Sequence, residues 1–208
     1  MRKQKSKYAL LIPEMRKNLW KTYRQATEQE RLLGAQWYPY MGELLDGWAR
    51  EKGLELRTVA ALTAAISPQV AWEDNIKAAE RLLQTGSCWG TNVLPRNARI
   101  AENILRERHL EPIGFKSAPK VWSFYRNLSG DLTTTVTIDT HMVQAAMGTP
   151  TVRVTLHEGI YRSFEAALLR EAKRRQVVPA SFQATIWLVW KRLHSPEEKR
   201  AAWRKRNA

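Results

Sequence analysis

Leu56 to Ile66 constrains this chain more than any other stretch. It reads Leu-Arg-Thr-Val-Ala-Ala-Leu-Thr-Ala-Ala-Ile, Ala-rich and almost wholly apolar. Alanine and leucine favour helix, and a helix without a polar face must be enclosed by other elements. The stretch therefore predicts the buried centre of a helical domain. Ser67-Pro68-Gln69 ends it, because the residue before a proline avoids helical backbone.

The segments around it read as helices too. Leu11, Met15, Leu19 and Tyr23 recur at helical intervals, predicting one long helix over Tyr8 to Leu33, entered or kinked at Pro13. Gly34 to Gly42, with Trp37, Tyr38, Pro39 and Tyr40, breaks that pattern and predicts a loop. Its aromatics either anchor the loop to the core or stack on bases. Further helices are expected over Gly42 to Lys52 (ended by Gly53), Trp72 to Leu83, Arg96 to Arg108, from the turn at Ser117 through Val121 and Leu128 to Gly130, His157 to Arg175 and Pro179 to Leu193. Thr85 to Pro95 and Thr149 to Thr155 read as loops. Leu110 to Lys120 reads as a tight turn, with Ser117 as N-cap and Pro119 in the first turn of the next helix. The fold class is all-α, helix packed on helix.

One piece departs from this pattern. Thr133-Thr134-Thr135-Val136-Thr137-Ile138 is β-branched and favours extended backbone, and from Asp139 the composition turns helical again. Asp139 or Thr140 suits the N-cap of that helix. A carboxylate there faces the positive end of the helix dipole. Held at a helix mouth, it either only stabilises the helix or stabilises positive charge developing on a substrate.

Composition narrows the partner. With 34 bases against 20 acids the net charge is +14 and the pI about 10.2. A surface of that sign points to a polyanion, with nucleic acid before an anionic membrane. No apolar run approaches the length of a membrane span, and Met1 to Lys7 lacks the apolar centre of a signal peptide. Cys88 is the only cysteine, so no disulfide forms within the chain and no cysteine-ligated cluster or zinc is expected. This fits a reducing cytoplasm. The four histidines, His109, His141, His157 and His194, show no metal-ligand spacing.

The order of pieces is more specific than any one of them. An apolar helix ends in Ile66-Ser67-Pro68-Gln69, followed by Asp74-Asn75 and a helix. Then come Ala98 to Ile104, a Gly-containing turn with lysines opening a helix, Ile138-Asp139-Thr140-His141, and Val178 to Phe182 leading into Trp187. This succession resembles the helix-hairpin-helix DNA glycosylase superfamily, to which endonuclease III belongs, over roughly Leu56 to Leu193. Compact, cluster-free relatives from phages, some linked to thymine hypermodification, look at least as similar as the repair enzymes. The resemblance implies two helical lobes with the site between them. The central lobe would span about 56–148, and the helices of 8–55 and 149–194 would form the second. Residues 1–7 and 195–208 would be basic tails.

It also implies a chemistry. Asp139 occupies the position of the catalytic aspartate, and Gln69 that of a residue wedged into the duplex. Breaking the bond from C1′ to a base makes the sugar oxocarbenium-like, which an anion near C1′ stabilises. The nucleotide must first leave the stack. The hairpin, with Gly114, Phe115, Lys116, Ser117 and Lys120, would aim N–H groups and charge at a phosphate. Gly114-Phe115 is followed by Lys116 where the family carries a second glycine. The simplest register puts Ala118 at the lysine position of lyase-competent members, with Lys116 and Lys120 on either side. Either lysine could instead act as an amine nucleophile beside Asp139.

Arg96 and His141 complete the expected DNA-binding set, with His141 expected to brace the turn by a hydrogen bond rather than to transfer protons. Trp122, Trp187 and Trp190 read as core, and Glu73 and Asp74 as solvated acids. No cofactor is expected beyond a monovalent cation on the hairpin carbonyls. The expected partner is double-stranded DNA, bound by a monomer in the cytoplasm. The expected activity is base excision; the alternatives are base hypermodification on the same fold, or DNA binding without catalysis.

Overall fold

A computed structural model describes residues 7–110 and 114–194. The two tails lie almost entirely outside that range, as do 111–113 of the expected hairpin. Among the described residues there are nine α-helices and no strand. They are α1 (Ile12–Tyr23), α2 (Glu28–Glu51), α3 (Leu56–Ile66), α4 (Trp72–Thr85), α5 (Pro95–Glu107), α6 (Pro119–Leu128), α7 (Thr140–Met147), α8 (Glu158–Arg175) and α9 (Pro179–His194), after a 3-10 turn over Lys7–Leu11. None of these helices is long and apolar enough to cross a membrane.

The N-terminal third differs from the expected long helix followed by a loop. The break falls at 24–27 rather than at Gly34, because Thr27 and Glu30 form a reciprocal cap. The Glu30 amide donates to Thr27 Oγ1 at 3.1 Å and the Thr27 amide to Glu30 Oε2 at 2.9 Å. From there α2 runs unbroken through Gly34 and Pro39. Tyr38, Met41, Leu45 and Ala49 are buried at helical spacing along it, and that continuous face outweighs the lost bond at proline. Gly34 is required where α2 crosses α9. A Cβ there would lie 2.7 Å from the Thr185 amide nitrogen, well inside contact distance.

Two apolar clusters form the interior. The first joins α2 to α6 around α3, whose residues from Thr58 to Ile66 are all buried. The second joins α1, Val136, Ile138, α7, α8 and the inner face of α9. This division is not the expected one: the second half of α2 packs with α3 to α6, whereas α7 belongs with α1, α8 and α9. Alanines 180 and 184 of α9 reach the first cluster, so α9 spans both.

The Thr-rich segment, expected to be extended, bends at Thr133 and Thr134 and forms no strand, so side chains satisfy much of its backbone. The Tyr161 hydroxyl donates to the Val136 carbonyl at 2.8 Å and accepts from the Ile138 amide at 2.9 Å. Asn127 Nδ2 donates to the carbonyls of Thr135 and Asp131. The Thr135 hydroxyl donates to buried Glu165 at 2.8 Å. These bonds hold the segment that delivers Asp139.

Candidate active site

Asp139 caps α7. Its Oδ1 accepts from the Met142 amide at 2.9 Å, as the composition change at this position predicted. Its Oδ2 accepts from Trp187 Nε1, also at 2.9 Å. Trp187 is therefore more than the core residue expected from its apolar helix. It is half-buried, and a partly buried indole N–H takes a polar partner. His141 packs edge-on against the same indole, with ring centroids 6.2 Å apart, and Lys191 Nζ lies 4.1 Å from its centroid. Among the described residues His141 makes no side-chain hydrogen bond, so the bond expected to brace the turn is not found, and its ring contacts the Trp187 indole instead.

Asp139 opens into a cavity of about 130 Å³ between the two apolar clusters. Lys120, in the first turn of α6, lines the same cavity. Burial holds its amine below the ordinary lysine range, and the nearby Asp139 charge partly opposes that shift. Part of the residue's surface stays open. Lys116 is different, being exposed in the turn over 115–117.

Aromatic rings make up much of the remaining wall. Trp37 of α2, Trp72 of α4 and Phe124 of α6 surround one another at centroid distances of 5.1, 5.9 and 6.2 Å. Tyr38, buried beside them, donates its hydroxyl to Gln183 Oε1 at 2.9 Å. Burial pushes that hydroxyl above the usual tyrosine range, so it stays a donor. Ser67, Val70, Asn75, Thr137, Ala184 and Leu188 complete the lining.

The expected DNA-contacting residues lie around this cavity to differing degrees. Gln69 is exposed on the loop between α3 and α4, two residues from cavity-lining Ser67 and next to Val70. Its backbone is left-handed, with φ of 63°, a conformation a non-glycine residue adopts at some cost. Ser117 is exposed but does not cap α6. Its hydroxyl donates back to the Gly114 carbonyl at 3.1 Å, and Ala118 holds the N-cap position without a side-chain bond. Gly114 is half-buried, and an added Cβ would meet nothing closer than Ser117 Oγ at 3.4 Å, so local packing does not require glycine. Phe115 points inward, edge-on to Tyr161 with the Arg162 guanidinium 3.7 Å from its ring centre. Its ring is thus a structural anchor for the turn. Arg96 is exposed at the start of α5.

Among the described residues no group of three or more His, Cys, Asp or Glu could hold a metal ion. The expected carbonyl cation site falls partly on 111–113, outside the described residues. Cys88 is buried, which pushes its thiol up to about 11, so a thiolate is scarce at neutral pH. Sequence reasoning counts Trp37 among aromatics that could stack on bases, but gives no site role to Trp72, Phe124, Trp187, Ser67, Asn75 or Gln183, which come to the cavity only through the crossing of helices distant in the chain.

No curated protein and no solved structure matches the chain. One family model does, over residues 1–194, so the chain belongs to the Family of unknown function (DUF7178).

Proposed function

We propose that this protein is a DNA N-glycosylase that draws a nucleotide out of duplex DNA and breaks its glycosidic bond in the cavity at Asp139. One observation carries the reading. A carboxylate capping a helix and a desolvated lysine amine share an aromatic-lined cavity in a chain of net charge +14. The helix-hairpin-helix glycosylase resemblance, with Asp139 at its aspartate position, points the same way.

As the bond from C1′ to the base stretches, positive charge grows on the sugar, and Asp139 offers a fixed anion to stabilise it. Bonds from Met142 and Trp187 hold the carboxylate still, so little reorganisation is needed when the charge appears. Lys120 is the nucleophile in this scheme. Its neutral amine attacks C1′, the glycosidic bond breaks, and the departing base leaves with the bonding pair and takes up a proton. Nitrogen's lone pair then forms C1′=N as the C1′–O4′ bond breaks, and O4′ leaves with the bonding pair and takes up the second amine proton, giving the ring-opened Schiff base. Trp37, Trp72 and Phe124 would stack on the displaced base. Gln69, exposed beside the mouth, would fill the gap left in the duplex. Lys116, Ser117 and Arg96 would contact backbone phosphates.

The test is incubation of wild type, Asp139→Asn and Lys120→Gln with modified genomic DNA and a panel of damaged duplexes, read by mass spectrometry. Wild type should release a base, and Asp139→Asn should slow release by about a hundredfold or more. Borohydride should trap wild type on DNA but not Lys120→Gln. Tight binding with no released base from any substrate would overturn the reading, and altered nucleosides without release would replace it with base modification.

A further inference from the structure

We propose that the outer face of the α1–α8 pair is a second nucleic-acid surface, one that grips the backbone of a duplex other than the one entering the cavity. The glycosylase reading enters only for that first duplex. The second surface follows from charge and packing.

Two contacts fix how the helices lie. Arg16 bonds Glu171 at 3.0 Å, and the Arg175 guanidinium lies 3.8 Å from the Trp20 ring centre. A step along α1 thus matches an equal step along α8, so the two run side by side in the same direction. Met15 and Leu19 turn into the interior, as do Tyr161, Phe164 and Leu168. Left outside are Lys17, Lys21 and Arg24 on α1, with Arg170, Lys173 and Arg174 on α8, all exposed. Residues three and four apart share a helix face, so each set forms a row.

The acids that could offset these rows are withdrawn. Glu171 is buried and held by both Arg16 and Arg175, and buried Glu165 is paired with Arg162. Glu14, 4.0 Å from Lys17, is the one acid exposed on α1, and α8 exposes none. Among the described residues the other five cations have no ion-pair partner. The helix dipole favours Lys21, Lys173 and Arg174, which lie in last turns, but it does not account for Lys17 or Arg170. Six cations facing one exposed acid attract a polyanion.

This face suits phosphates rather than bases. Its ring, Trp20, is taken up by Tyr23, stacked at 5.6 Å, and by Arg175, so none is free for an unstacked base. Single strands are held largely by such stacking, whereas a duplex presents its phosphates outward. Both helices turn their apolar faces inward, which leaves little to insert into an anionic membrane. No residue of α1 or α8 lines the cavity. Arg170 and Arg174 stand about 12–18 Å along α8 from Arg162, which packs on the turn at Phe115. One molecule can then hold one segment while it samples another.

Duplex stoichiometry tests this without turnover. Full-length protein is mixed at low salt with excess short duplexes, half carrying a donor dye and half an acceptor, and analytical ultracentrifugation gives the mass of the complex. Wild type should hold two duplexes per protein and give energy transfer. Four phosphate contacts, at about 0.9 each, predict a slope near −4 for log affinity of the second duplex against log salt. Lys17→Ala, Lys21→Ala, Arg170→Ala and Arg174→Ala combined should weaken the second duplex about tenfold or more and leave the first unchanged. If that variant does not fold, the stoichiometry and salt slope of wild type decide alone. A complex with one duplex at saturation, transfer only through paired proteins, or equal loss of both duplexes in the variant would overturn the proposal. So would displacement of the second duplex by single strands more readily than by duplex, or capture of phosphatidylglycerol vesicles in its place. Two bound duplexes without base release from any DNA would leave this inference standing and remove the glycosylase reading; base release by a protein that never holds more than one duplex would do the reverse.

Discussion

The two apolar clusters are built on different physics. The one around α3 is built mostly on aliphatic and aromatic side chains packed about a helix whose residues from Thr58 to Ile66 are all buried. The one around Val136 and Ile138 contains a segment that is neither helix nor strand, and it depends on bonds from Tyr161, Asn127 and buried Glu165. The first cluster supplies Trp37, Tyr38, Val70, Trp72 and Phe124 to the cavity wall by apolar packing. The bonded one supports Asp139 at a specific position, since a polar group satisfied by one partner is held in direction as well as depth.

Perturbing each cluster should give separable results. Leu62→Ala, at the centre of α3 with no exposed surface, should cost about 3 kcal/mol. That corresponds to a fall in Tm of about 6–12 °C, with the cavity chemistry largely intact. A loss below about 1 kcal/mol in denaturant unfolding would mean that the wall is not tightly packed.

Gly34→Ala tests the crossing that binds the clusters together. Its new methyl would overlap the Thr185 backbone, so α2 and α9 must part, at about 2 kcal/mol. Because α9 carries Trp187 and Gln183 into the cavity, base release or base binding should weaken along with Tm. A stable variant with full activity would show that the crossing does not hold the cavity.

Tyr161→Phe removes one hydroxyl and leaves the Ile138 amide and the Val136 carbonyl without their partner. About 2 kcal/mol of stability should be lost. Base release should fall as well, although Tyr161 does not line the cavity, because Asp139 follows Ile138 directly. Combined with Leu62→Ala, the losses should add within about 0.5 kcal/mol. A larger coupling would mean that the clusters behave as one.

The two lysines of the turn sharpen the contrast at smaller scale. An amine attacks only when unprotonated, and that fraction grows as pH rises through its pKa. Burial lowers the Lys120 value, so borohydride trapping should rise with pH and level off before ~10.4, the ordinary lysine value. A rise continuing to that pH would place the reacting amine in solvent. Lys116→Ala should leave stability within about 0.5 kcal/mol. It should only flatten the dependence of log affinity on log salt, by about one.

Much of this was legible locally. The α3 stretch has nowhere to go but inside, and the switch from β-branched residues to a helical run puts an acid at a helix start, where Asp139 is found. The break before α2 was also written in the chain, as Thr27-x-x-Glu30, but Gly34 and Pro39 masked it. Their usual meaning gives way when a helix face is buried along its whole length and a glycine is needed for close approach.

By itself the sequence determined an all-helical chain, a basic surface, and an acid capping the helix after its one extended piece. All of these depend on residues within a few positions of one another. Tertiary structure alone decided that Lys120 rather than Lys116 turns inward beside Asp139, that Trp187 bonds the carboxylate, and that Ser67 Oγ and Asn75 Oδ1 find no partner. Asp139 and Trp187 are 48 residues apart in the chain and 2.9 Å apart in space. A separation of that kind follows from how helices cross, which no local pattern encodes.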